Sequence, residues 1–298
     1  MLKVAFIIYR SWGYRIFREI LDYQKTRQDF KVSLLITTHK PEFKLNSSSR
    51  KKIQFFQINP EENLKIYEIL KKNDIKIAFF YSWSNIIDKK IIKDFVCLCL
   101  HPSMLPNYRG GTPIQHQLIN GEINSGITVF KMNDVIDGGD IYQQTAMSLV
   151  GNVNDIFGRM AELGSIITKR LITNQLNGEL FFKPQKNLKN KPIFKRRKPE
   201  QGEIQLSQIK SLKYAELNNL IRGLLDPYPN VFIKFNDGVL YIQEVIKYKY
   251  FPKNKKIILN NYKSVAGINL KNKKPFFELK DGLALVAKYK IKSLNSNR

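Results

Sequence analysis

The chain has little of what most metal, redox and nucleotide sites are built from. Only three of its 298 residues are histidine and two are cysteine. His39, His101 and His116 bring no further ligands at metal-site spacing, so no metal is expected. Cys97 and Cys99 stand two apart in a run that reads as a strand, which puts their Cα atoms about 6.5–7 Å apart on one face. That separation is poor for a disulfide. Reduced thiols and a cytoplasmic protein are expected. No apolar run reaches membrane length, which argues against a membrane partner. The opening stretch, "MLKVAFIIYRSWG", has no small-residue cleavage site and reads as a first buried strand. GxGxxG and the Walker lysine motif are both missing, so the ligand is neither a Rossmann-bound dinucleotide nor a P-loop triphosphate. Acidic residues are scarce too, with 25 Asp and Glu against 50 Lys and Arg. The net charge of +25 favours anionic partners. Only 12 of the basic residues are Arg, however, and a lysine bias spread over a solvated surface explains much of the charge.

What is present alternates. "KVAFIIY" (3–9), "KVSLLIT" (31–37), "IQFFQ" (53–57), "IKIAFFY" (75–81) and "FVCLCL" (95–100) are short runs of β-formers. Helical patterns follow the first run, fill 63–72 and extend over 155–176. "GITVFKM" and "DIYQQTAM" add two more strands. The fold class expected is α/β, a Rossmann-like, mainly parallel sheet with helices on both faces. Residues 1–181 would form this domain, and 182–204 a basic linker. Residues 205–298 would form a smaller β-rich domain, OB-like or built of hairpins turning at "NDG" (236–238) and "KDG" (280–282).

The chemistry concentrates after the strand that ends near His101. Open α/β sheets place their sites at the carboxyl ends of strands. "PSMLPNYRGGTP" can continue neither a strand nor a helix, and Gly110 with Gly111 permits close backbone approach. In "NDVIDGGDI", Asp137 and Asp140 flank two glycines on a sharp bend. A histidine near an aspartate can be held in one tautomer and can move a proton during attack by an amine. Taken alone, a histidine at a strand end is more often a structural hydrogen-bonder, and the aspartates could be ordinary turn residues.

"LHPSMLPNYRGGTPIQHQLINGE", "GITVFKM" and "DVIDGGDIYQQ" together resemble the folate-dependent formyltransferases, which transfer the formyl group of N10-formyltetrahydrofolate to an amine. The likeness runs from about residue 75 to 235. It implies a catalytic trio of Asn, His and Asp. His101 and Asp137 match two members, whereas Cys99 stands where the family has Asn. A thiol is a weaker donor than an amide. His101 alone, or a substitute amide from Asn107 or Asn133, could serve instead, or the protein could be a slow or inactive relative. The resemblance assigns folate binding to Ser82, Trp83, Ser84, Asn85, Ile86 and Ile87, with Asp134 and Val135. Substrate binding falls to Arg10, Trp12, Gly13, Ser103, Met104, Arg109, Gly110, Gly111 and Gln115, with Arg10 or Arg109 on a diphosphate. No metal is implied. The acceptor that "YRGGTPIQHQLINGE" and "YSWSNII" suggest is a dTDP- or GDP-linked amino-dideoxy sugar for a surface polysaccharide such as O-antigen. The alternative is methionyl-tRNA, favoured by 18 basic against 6 acidic residues in 205–298 and a short basic stretch at 38–54. An alternative of another class is a non-catalytic relative that binds RNA or other polyanions. The β-rich end could support a homodimer.

Overall fold

The computed structural model describes residues 1–39, 53–59, 61–235, 238–248 and 275–293. Most of the basic stretch at 38–54, and Asn236 and Asp237 of the "NDG" turn, lie outside the described residues. The chain divides into two units. Unit one comprises Met1–Pro113, Asn124–Ser148 and Asp155–Lys195, and unit two comprises Ile114–Ile123, Leu149–Asn154 and Arg196–Arg298.

Unit one is built on seven strands: β1 (Leu2–Ile7), β2 (Phe30–Thr37), β3 (Gln54–Gln57), β4 (Ile77–Tyr81), β5 (Val96–His101), β7 (Asn124–Lys131) and β8 (Ile141–Ser148). They lie in the order β3-β2-β1-β4-β5-β7-β8. The first five pair in parallel, and β7 and β8 run antiparallel at one edge. All five residues of β4, "IAFFY", are buried, as a strand covered on both faces requires. On one face Ala5, Ile36, Phe80 and Cys97 pack with Ile66 and Leu70 of the helix Asn63–Lys72 and Ile91 of the helix Lys89–Asp94. Asp88 caps the second of these by accepting the Lys90 N–H at 2.7 Å. On the other face Phe6 meets Phe17 of the helix Ser11–Lys25 edge-on, and Tyr81 bonds Thr168 of the helix Val153–Leu176. Each fully buried Phe or Ile contributes about 1.5–3 kcal/mol.

The segment expected to be a linker behaves otherwise. Lys183 exchanges two backbone bonds with Ile141, and β9 (Ile193–Phe194) pairs in parallel with β6 (Arg109–Gly110). Up to Lys195 the stretch belongs to unit one. The reading failed because it rested on charge and proline content, while the pairing partners are far away in sequence.

In unit two, β10 (Val231–Phe235), β11 (Gly238–Lys247), β12 (Phe276–Leu279) and β13 (Gly282–Ser293) form an antiparallel sheet in the order β10-β11-β13-β12. Phe235 pairs with Gly238, and Leu279 with Gly282 across the "KDG" turn, so two tight hairpins are present. Val231, Ile233, Leu240 and Ile242 pack with Leu217 and Ile221 of the helix Tyr214–Gly223. The opposite face carries Lys288, Lys290 and Lys292 at alternate, exposed positions of β13. Lys290 lies opposite Tyr241, and Tyr241 opposite Phe232.

Candidate active site

His101 is the last residue of β5 and is 5% exposed. Its Nε2 lies 2.8 Å from the carbonyl oxygen of Tyr108. A carbonyl can only accept, so Nε2 carries the hydrogen in this contact. Nδ1 therefore faces Asp137 Oδ2, at 3.4 Å. The same Oδ2 accepts the Gly110 N–H at 2.7 Å. In the neutral ring Nδ1 is a proton acceptor, so imidazole and carboxylate are two bases flanking one gap. They can share a single incoming proton.

The loop between them is tied down atom by atom. Ser103, with no exposed surface, donates to Asn107 O at 2.6 Å. Thr128 Oγ1 donates to Ser103 O at 2.7 Å and accepts from Leu105 N and Gln144 Nε2. Tyr108 sits at φ +55° and Asp137 at φ +47°, in the left-handed region that residues other than glycine enter at a cost. Gly110 is at φ +97°, and a Cβ there would fall on the carbonyl oxygen of Phe194. Its close approach is to the chain's own β9, not to a ligand as the motif suggested. Gly111 bonds Phe194 O at 2.8 Å.

Several expected site residues have other duties. Arg109 is 3% exposed, and its guanidinium donates to Ile136 O at 2.9 and 2.6 Å and to Leu188 O at 3.2 Å. It braces the Asp137 turn and is no diphosphate partner. Trp12, 5% exposed, is core, as is the Ile87 side chain. Gly13 is needed for packing, because a Cβ there would crowd Ser82 Oγ. Met104 packs over Gly126. Asn133 closes its own turn, accepting from Val135 N at 2.9 Å. Asn107 is exposed and uses its carbonyl. Gln115 is buried within unit two and its Nε2 has no partner among the described residues.

The loop after β4 does form a distinct edge. Ser82 Oγ accepts from Tyr9 N and Arg10 N at 3.3 and 3.2 Å, and Ser84 Oγ accepts from Tyr9 OH at 2.7 Å. Arg10 also reaches Ser84 and the Tyr9 hydroxyl. Lys89 pairs with Asp134 at 3.6 Å, which brings this loop beside the turn before Asp137. Ile86, Val135 and Ile136 are exposed there, Asn85 is half-buried, and the buried Trp83 Nε1 has no partner among the described residues. Exposed apolar surface of this kind suits a flat heteroaromatic ligand.

Sequence reasoning missed Gln185. Its Nε2 donates to Asp137 O at 2.9 Å and to Gly139 O at 2.7 Å. It lies in the supposed linker, where no periodicity marks it.

The fold is that of an α/β protein whose mainly parallel sheet brings a histidine and an aspartate together at a strand's carboxyl end. The chain belongs to the formyl transferase family, whose model matches residues 2–162. It is 32% identical over 139 residues to a methionyl-tRNA formyltransferase of Lactobacillus acidophilus, covering 46% of this chain and 42% of that one. It is 28% identical over 200 residues to the methionyl-tRNA formyltransferase of Clostridioides difficile, covering 61% and 62%. The match thus spans less than two thirds of either relative. Among solved structures, a methionyl-tRNA formyltransferase from Clostridium thermocellum superposes with a TM-score of 0.61 at 24% identity, over 83% of this chain and 94% of that one. A 4-N formyltransferase from Francisella tularensis gives 0.62 at 19%, over 78% and 92%. These two structures establish likeness of fold.

Cys99 shares the β5 face of His101, two residues away. Its thiol is pushed well above the ordinary value, first by burial and then by the charge of Asp137. Burial pushes the Cys97 thiol up to about 12, with Lys131 pulling the other way. Both stay S–H at neutral pH, so Cys99 is a weak donor and not a nucleophile. Native protein treated with iodoacetamide at about pH 8.5, the ordinary thiol midpoint, is expected to label at neither cysteine, and denatured protein at both. Rapid native labelling of Cys99 would contradict this assignment.

Proposed function

We propose that the chain is an N-formyltransferase that uses N10-formyltetrahydrofolate as donor and methionyl-tRNA as acceptor. The observation that carries the transfer chemistry is the approach of His101 Nδ1 to Asp137 Oδ2 at 3.4 Å. The donor, when bound, supplies an activated formyl group. The loop of Ser82, Ser84 and exposed Ile86, with the exposed Val135 and Ile136 of the turn that Lys89 reaches through Asp134, would hold its flat pterin. His101 and Asp137 together take the proton an attacking amine sheds and hold it until the leaving nitrogen needs it. In the present geometry Nε2–H is engaged by Tyr108, so donation from it to a developing oxyanion requires the ring to turn. Cys99, two residues from His101, offers the nearer S–H on that strand face.

Two observations favour the tRNA acceptor. Both of the curated relatives described above are methionyl-tRNA formyltransferases. The outer face of the unit-two sheet sets Lys288, Lys290 and Lys292 beside Tyr241 and Phe232, a pattern suited to phosphates with stacking surfaces between them. The nucleotide-linked amino sugar is a second reading, carried by "YRGGTPIQHQLINGE". It loses Arg109 as a phosphate partner.

Mass spectrometry after incubation with donor is expected to find formyl-methionyl-tRNA and no formylated dTDP- or GDP-amino sugar. His101→Ala and Asp137→Ala should each abolish transfer and leave folate binding intact. Full turnover by either variant overturns the site; formylation of the sugar alone overturns the acceptor. Binding of tRNA without any transfer would place the chain with the non-catalytic polyanion-binding reading.

Cys99→Asn restores an amide donor and is expected to raise kcat, by up to about 10²-fold, the lower range for one oxyanion donor. A large loss would show that the thiol has a role of its own.

A further inference from the structure

Besides the β6–β9 pairing, the stretch 183–194 contacts both the loop that leads from His101 and the turn that carries Asp137. Gln185 holds the carbonyls of Asp137 and Gly139. Leu188 O takes Arg109 Nη1. Phe194 O takes the Gly111 N–H, and the Phe194 ring stacks on Tyr108 with centroids 5.1 Å apart. Three of these contacts fix the loop that leads from His101. Gln185 fixes the other partner.

We infer that Gln185 is a positioning residue that sets the Asp137 carboxylate against His101 by clamping the left-handed turn from behind. This rests on the formyl-transfer reading for its kinetic consequences, but not for its structural ones. Asp137 has φ +47°, a left-handed conformation that Asp adopts as a single residue at a cost which neighbouring bonds offset. The Gln185 amide bridges the carbonyls on either side of Gly138, so Asp137 cannot relax toward the right-handed region without breaking a bond. Gln185 Oε1 has no partner among the described residues, so the polar function of the side chain lies in these two donated bonds. Released, the turn would carry Oδ2 away from both Gly110 N and His101 Nδ1. A misplacement of about 1 Å at a reacting group can lower the rate about 10²-fold.

The test uses the full chain and two variants, Gln185→Leu and Gln185→Met, neither of which can donate. The first readout needs no substrate. The Gly110 N–H, bonded to Asp137 Oδ2, should lose hydrogen-exchange protection by about tenfold or more. The neighbouring Gly111 N–H, bonded to Phe194 O, should keep its protection. Unchanged Gly110 protection in a folded variant overturns the proposal. Equal loss at Gly111 also overturns it, because Gln185 would then merely hold the segment in place. If Gln185→Leu fails to fold, Gln185→Met decides. The second readout is kinetic. Each variant should lower kcat about 10²-fold with KM for donor and acceptor unchanged, and add no further loss in an Asp137→Asn background. Full additivity in that background would show that Gln185 does not act through Asp137. If the wild type transfers no formyl group to any acceptor, the functional reading has failed, and the exchange data alone decide the role of Gln185.

Discussion

A single carboxylate oxygen organises the loop region of unit one. Asp137 Oδ2 accepts the Gly110 N–H and faces His101 Nδ1, and it can do both only because its backbone is held at φ +47°. A residue with a side chain enters that region at a cost of about 1–2 kcal/mol. The surroundings hold it there. Arg109, almost wholly buried, binds the Ile136 carbonyl just before it, and Gln185 binds the carbonyls of Asp137 and Gly139. A buried guanidinium without partners would be expensive, so these bonds stabilise Arg109 and the turn at once.

His101 is positioned from the other direction. The β5 strand, buried between β4 and β7, delivers it to the sheet's edge, and Tyr108 fixes its Nε2. Tyr108 is in turn fixed by its stacking on Phe194. Imidazole and carboxylate are thus anchored separately, one by the sheet and one by the turn, and they meet across a gap too wide for a strong hydrogen bond. Such a pair is free to accept a proton between them. If the pair works as proposed, Cys99 in place of the amide that the resemblance implies leaves proton handling intact and weakens the stabilisation of developing negative charge.

Much of this was legible in the sequence. A run of β-formers ending on His101, followed at once by Pro and Gly, could only be a strand meeting a rigid loop, and Asp137 before two glycines could only be a turn. The parallel sheet followed from alternating patterns, and the hairpins of unit two from a chain of short β-runs. What escaped was burial and long-range pairing. Nothing local distinguishes a buried Arg109 from an exposed one, so the sequence offers it, or Arg10, to a diphosphate with equal ease. Trp12 was read as substrate-facing for the same reason. Gln185 bonds to residues 48 and 46 positions away, inside a stretch whose lysines and prolines read as a linker. Composition reports how well a segment is solvated, and a strap with one inward-pointing amide is mostly solvated.

The central claim is that His101, Asp137 and the loop after β4 face one cleft that holds a formyl donor. A crystal structure with a non-transferable 10-formyl folate analogue tests it most directly. The account requires the ring system against Ile86, Val135 and Ile136, and the formyl carbon within hydrogen-bonding reach of His101 and Asp137. An analogue bound elsewhere, or one whose formyl group points away from both side chains, would contradict it.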